Sequence, residues 1–248
     1  MLKTAKRLAK PVLQRLTASF YPHRPLATWP PFVGRIHGIS VPRGVVPHPE
    51  PQPIGSANIN NVLSLFDRTR NVPGEIAECG VYRGSTLVSL AMYAAQQGVR
   101  KAIHGFDSFE GFAESIVSDQ QLGGADIDCK HPGGMNETSY ELVAGKLKLF
   151  GLHNVELHKG FFEHTLQQCS ALSFSFVHLD CDAYDAYMDC MKFFYPRLSR
   201  GGVILFDEYN DPPWPGCNKA IDEYLADKPE RCEPIAHDNF VKYFIVKQ

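Results

Sequence analysis

Four carboxylates stand at or beside the points where apolar runs stop: Glu78 in GEIAECG, Asp107 in IHGFDSF, Asp180 in FVHLDCD and Asp207 in VILFDEY. Glu208 follows the last of them, and Asp182 lies two residues beyond Asp180. A buried run that ends in an acid delivers it to a rim, where it can accept hydroxyls, neutralise a cation or ligate a hard metal. Neighbouring strands lie about 5 Å apart, so Asp180, Asp207 and Glu208 would converge if their runs were adjacent strands. Three converging carboxylates repel and raise one another's pKa. Mg²⁺ relieves that repulsion, because it takes oxygen ligands and keeps positions open for a substrate with two adjacent oxygens. Asp180 could then receive the proton of a bound hydroxyl as general base. As solvated loop residues or helix caps the same acids would do none of this; Asp185, for one, can cap the helix that follows it.

The first acid carries a second pattern, E-x-G-x-x-x-G, formed by Glu78, Gly80 and Gly84, with Ser85 opening a helix. Glycines at a strand-to-helix turn often do no more than turn the chain. A dinucleotide site would require G-x-G-x-x-G to admit pyrophosphate at the helix N-terminus. Here Glu78 stands at the first glycine's place and would repel phosphate. Asp107 also follows Glu78 by 29 residues, against about 20 for a nucleotide-ribose acid. A ligand with a ribose, no phosphate and positive charge suits these residues, and S-adenosylmethionine is one. Gly80 would admit its methionine part and Glu78 would face its cationic end. Asp107 would take the ribose hydroxyls, each charge-assisted bond giving about 1.5–3 kcal/mol.

Strands are expected at 75–79, 102–106, 155–158, 174–179 and 203–206, and an antiparallel pair at 233–236 and 240–246. Helices are expected at 58–70, 85–97, 137–150, 185–198 and 219–225, with Gly98 as a left-handed cap and Gly151 closing the third. The alternation implies a doubly wound α/β fold with a mostly parallel sheet, in which ligands bind beyond the carboxyl ends of the strands. All four acids fall at such ends. Residues 113–136 are Gly-rich and aperiodic, and read as a lid over the site. His158 and His164 flank the third strand tip. His178 reads as a hydrogen-bonded strand residue, and Trp214 as either substrate-facing or packed.

Ten of the 18 prolines lie in residues 11–53, so residues 1–53 read as an extended, irregular arm and 54–248 as one compact domain. Eight Lys and Arg precede Glu50, the first acid, and the other 17 face all 27 Asp and Glu. A formal net charge of −2 points to no nucleic-acid partner. The basic arm could wrap a neighbouring subunit. Seven cysteines without a C-x-x-C pair suit reduced thiols in a cytoplasmic protein. No run reaches the ~20 apolar residues of a membrane span.

Taken in order, VPGEIAECGVYRGST, HGFDSFEGF, HKGFFEHTL, FVHLDCDAY and GGVILFDEYND resemble the macrocin O-methyltransferase family over about residues 55–248. These are class I S-adenosylmethionine-dependent enzymes that methylate hydroxyls of sugars and natural-product scaffolds. The resemblance implies a Rossmann-like, seven-stranded sheet whose last strand is antiparallel. It implies Mg²⁺ on Asp180, Asp207 and Glu208, with Asp180 as catalytic base. Cofactor contacts would come from Glu78, Gly80, Val81, Tyr82, Gly84, Ser85, Asp107, Ser108, Gly160 and Phe161. Three positions depart from the family pattern: Glu208 stands where the second Asp of a pair is usual, His164 at an acid of the third tip, and Ala183 at a Leu. Two other readings compete, an NAD(P)-dependent oxidoreductase and a binding protein that keeps the fold without catalysis.

Overall fold

The computed structural model describes residues 32–36, 39–42, 56–123, 130–237 and 240–248. Seven strands form one sheet: β3 (Glu75–Cys79), β4 (Ile103–Asp107), β5 (Val155–Lys159), β6 (Phe174–Leu179), β7 (Leu198–Phe206), β8 (Glu233–His237) and β9 (Phe240–Val246), in the order β5-β4-β3-β6-β7-β9-β8. The pairs from β5 through β7 are parallel, and β9 runs antiparallel to both β7 and β8. The chain builds outward from β3 to β5, then crosses over to β6. The switch point therefore lies between the tips of β3 and β6.

The central strands β3, β6 and β7 are buried on both faces because helices cover both. Ile76, Phe176, Val203 and Leu205 pack into one cluster with α1 (Ser56–Thr69), α2 (Ser85–Gln96) and α4 (Tyr140–Phe150). Ala77, Val177, Ile204 and Phe206 pack into the other with α6 (Tyr184–Phe194) and α7 (Pro215–Leu225). Such two-sided burial gives parallel strands their continuous apolar runs. Each cap follows from its sequence: Ser139 accepts from the Leu142 amide at the start of α4, and Gly151 closes it at φ 65°.

Three expectations are corrected. The segment 11–53 is not irregular throughout, since β1 (Phe32–Ile36) pairs antiparallel with β2 (Ile39–Pro42); Pro42 is the only proline among these strand residues, and the others crowd outside them. Most of the expected arm lies outside the described residues. The aperiodic stretch 113–136 holds α3 (Ile116–Gln121), a helix too short to show a period. Its Asp119 accepts the Tyr184 amide at 2.7 Å and so serves the start of α6, the role expected of Asp185. Residues 124–129 of that stretch lie outside the described residues.

Candidate active site

At the switch point the tips of β3 and β6 touch. A Cβ on Gly80, whose φ is +87°, would lie 1.6 Å from the Asp180 carbonyl oxygen. Only glycine permits this approach, and it makes the two halves of the crevice share one wall. A cavity of about 470 Å³ opens here. Of the expected site residues, Gly80, Tyr82, Asp107, Ser108, Gly160, Phe161 and Asp180 line it. Val81 and Glu78 are buried in the core, and Gly84, against Val143, and Ser85 shape the turn from behind.

Asp107 is held by backbone. Its Oδ2 accepts the Tyr82 amide at 2.7 Å and its Oδ1 the Phe109 amide at 2.6 Å. Burial raises its pKa, and the amides of Phe109, Tyr82 and Val81 oppose that rise. Each oxygen keeps a second lone pair for a ligand. Tyr82 and Phe109 pay for these bonds with φ of 47° and 55°. Met135 and Asp182, which also line the cavity, have φ of 61°. Strain of this kind gathers at binding sites.

The opposite side is held by charge. Oxygens of Asp180, Asp207 and Glu208 lie within 4.8 Å of one another, although Asp207 and Glu208 sit behind the cavity wall rather than in it. Asp207 accepts from Lys242 Nζ at 2.8 Å and lies 3.5 Å from His178 Nε2. Burial would raise the Asp207 pKa, but His178 and Lys242 outweigh it and hold the group ionised. His178 Nδ1 lies 3.2 Å from Glu78 Oε1. Burial lowers the His178 pKa, yet its carboxylate partners carry it to about 10. Burial, then the Asp207 charge, pushes Asp180 up to about 7.

Glu208 differs from its neighbours. Burial and the charges of Asp180 and Asp182 raise its pKa well above the usual range. Tyr187 Oη lies 2.5 Å from Glu208 Oε2 and 2.8 Å from the Leu179 carbonyl. One hydroxyl hydrogen cannot serve both acceptors. The Tyr187 hydroxyl therefore donates to one of them at a time, and Glu208 also hydrogen-bonds to Asp180.

The oxygen donors suit Mg²⁺ in type. Lys242 was not foreseen. The pairing of Phe206 with Tyr243 places it opposite Asp207, and a lone lysine within the apolar FVKYFIV was the available signal. Tyr187 was likewise missed, because its place follows from helix packing. His158 hydrogen-bonds to His104 and Gln168 away from the cavity, and His164 pairs with Glu163. Trp214 packs on Phe112, with Lys130 over its ring. Among the described residues no helix is long and apolar enough to cross a membrane.

The profile of the macrocin-O-methyltransferase (TylF) family matches residues 47–244. The chain is 26% identical to demethyldecarbamoylnovobiocin O-methyltransferase of Streptomyces niveus, over 70% of this chain and 67% of that protein. It is 29% identical to mycinamicin III 3''-O-methyltransferase of Micromonospora griseorubida, over 69% of this chain and 68% of that protein. Its fold matches that of the O-methyltransferase NovP with a TM-score of 0.65 at 22% identity, covering 96% of this chain and all of that one. It also matches the Streptomyces achromogenes O-methyltransferase TomG in complex with S-adenosylmethionine, with a TM-score of 0.51 at 18% identity, covering 80% and 83%. The chain therefore belongs to the macrocin-O-methyltransferase family of S-adenosylmethionine-dependent enzymes, and is itself an O-methyltransferase.

Proposed function

We propose that this chain binds S-adenosylmethionine at the tips of β3 and β4 and methylates a hydroxyl of a small polyhydroxylated acceptor, a sugar or a natural-product scaffold, with the help of Mg²⁺. The observation that carries this reading is the contact of Gly80 with Asp180, which sets the donor crevice against the acidic cluster. Asp107 would accept from the ribose hydroxyls, and Phe161, which is partly exposed on the cavity wall, would cover the adenine. Glu78, buried behind the wall, would supply negative charge near the sulfonium without touching it.

Asp180, Asp207 and Glu208 would hold the metal, which when bound would acidify the acceptor hydroxyl and orient it. Asp180, the member of that trio that lines the cavity, would take the hydroxyl proton as the oxygen attacks the methyl carbon. Burial and the Asp207 charge raise its pKa in the metal-free fold, and a cation held by the same oxygens would lower it again. Residues 54–248 form the catalytic domain in this reading, and residues 1–53 an arm outside it.

The described cavity residues include Asp107, Glu163, Asp180, Asp182, Asp185 and Asp189 but no Lys or Arg. Such a wall favours a neutral or amine-bearing acceptor over a phosphorylated one, since like charges across an interface cost several kcal/mol. Calorimetry with S-adenosylhomocysteine and with NAD(P), followed by turnover of neutral, amino and phosphorylated sugars with and without EDTA, tests the proposal. Binding of NAD(P) in place of S-adenosylhomocysteine would overturn it, and full turnover in EDTA would remove the metal from it.

A further inference from the structure

On the face of the sheet away from α2, three nitrogen and sulfur ligands converge below the cavity. His104 Nδ1 and His158 Nε2 are 3.0 Å apart, and Cys169 Sγ is 3.7 Å from each. All three side chains are buried. Tetrahedral zinc, with bonds of about 2.0–2.1 Å to nitrogen and 2.3 Å to sulfur, sets its nitrogens roughly 3.4 Å apart and nitrogen to sulfur roughly 3.6 Å apart. The edges of the cluster are within a few tenths of an ångström of these values. Glu156 Oε2 lies 3.9 Å from His104 Nδ1, outside the three-residue cluster, and would have to swing inward to serve as a fourth donor. Glu156 is opposite His104 in the strand pairing, and its side chain is 68% exposed, which opens a path for entry.

We propose that His104, His158, Cys169 and Glu156 form a binding site for a borderline-soft divalent cation, Zn²⁺ in the first instance, separate from the oxygen-lined cluster at Asp180. The charges balance: one thiolate and one carboxylate neutralise the ion, and both imidazoles bind as neutral ligands. Burial and the neighbouring His158 lower the His104 pKa, which keeps it in the neutral form. Burial lifts the Cys169 thiol to about 11, so the thiol is inert until a cation displaces its proton to solvent. Gln168 Oε1 accepts from His158 Nδ1 at 3.1 Å. That bond fixes the ring's tautomer and turns the Nε2 lone pair toward the centre, as outer partners of metal-bound histidines do. His158 ends one side and Cys169 the other side of the stretch that carries Gly160, Phe161, Phe162 and Glu163 along the cavity wall. Ligation would therefore staple that wall to β4 and β5.

Cobalt titration of the chelator-treated protein tests this. Co²⁺ held by a thiolate shows a near-ultraviolet charge-transfer band that Co²⁺ on carboxylates lacks. One equivalent is expected to saturate that band, and Zn²⁺ to displace it. Cys169→Ser should abolish the band while circular dichroism confirms the fold, and Asp180→Asn should leave it intact. Gln168→Ala should weaken Zn²⁺ binding about 10–100-fold, as loss of an outer partner does. Absence of the band, its survival in Cys169→Ser, or its loss in Asp180→Asn overturns the proposal.

Discussion

At the tips of β3 and β4 the Asp107 carboxylate rests on the amides of Tyr82 and Phe109, whereas at the tips of β6 and β7 Asp207 rests on two side-chain cations, Lys242 and His178. Backbone donors are fixed once the turn has formed, and they cannot titrate. Side-chain cations balance like charge, can be exchanged for a metal, and respond to pH. In the proposed reading the donor half is thus a rigid mould, while the acceptor half is a charge balance that substrate and cation would complete. Substitutions on either side should fail in different ways.

Asp180→Asn should have the largest effect, since the reading gives Asp180 both the proton and a ligand position. Loss of the base predicts a fall in kcat of about 10²–10⁴-fold with S-adenosylhomocysteine affinity and thermal midpoint nearly unchanged. Persistent turnover in that variant would mean that base and metal ligands are wrongly assigned. Lys242→Met comes next. Its ammonium is the nearer cation on Asp207, and because the pair is partly buried its removal is expected to cost up to about 3 kcal/mol. Lowered stability in EDTA, largely recovered by Mg²⁺, would show the two cations to be alternatives at the same carboxylate; stability indifferent to Mg²⁺ would separate them.

Gly80→Ala probes the mould. A positive φ strains a non-glycine residue by about 1–3 kcal/mol, and the new Cβ meets the Asp180 backbone, which cannot swing aside as a side chain would. Weaker S-adenosylhomocysteine binding is expected together with a lower melting temperature, because the same contact joins both halves. A variant that melts normally and binds normally would show that the strand tips can part.

The mould was the more legible half. Glu78, Gly80, Asp107 and the ends of their strands follow from local rules, an apolar run that stops and a glycine where the chain must turn. Asp180, Asp207 and Glu208 were legible as residue types for the same reason, and the parallel alternation made their strands neighbours. Their partners were not. Lys242 lies beside Asp207 only because β9 enters antiparallel to β7, and Tyr187 reaches Glu208 only because α6 packs across the strand ends. Nor could α3 be read from its own residues, since Asp119 holds it by capping another helix. What sequence reasoning misses here is the tertiary pairing that gives each buried acid its hydrogen bond or its cation.

His178 offers the subtlest test, because it links the two halves through Glu78 on one side and Asp207 on the other. Its pKa rises from the ordinary 6.5 to about 10 in the folded chain, so folding favours its charged form. That stabilisation is fully present below about pH 6.5 and drains away as pH climbs through about 10, at no more than about 1.4 kcal/mol per pH unit for one proton. The pKa of Glu78 is also raised, chiefly by burial, and its stabilising share is lost in the same direction, at lower pH. Denaturant midpoints compared between the wild type and His178→Gln from pH 6 to 10.5 isolate the effect from other titrating groups. The variant should be the less stable at pH 6.5, since it leaves two carboxylates without their shared imidazolium, and the gap should narrow as pH approaches 10. A gap that stays constant across this range would mean that His178 is uncharged in the fold, and that Lys242 alone holds Asp207 ionised.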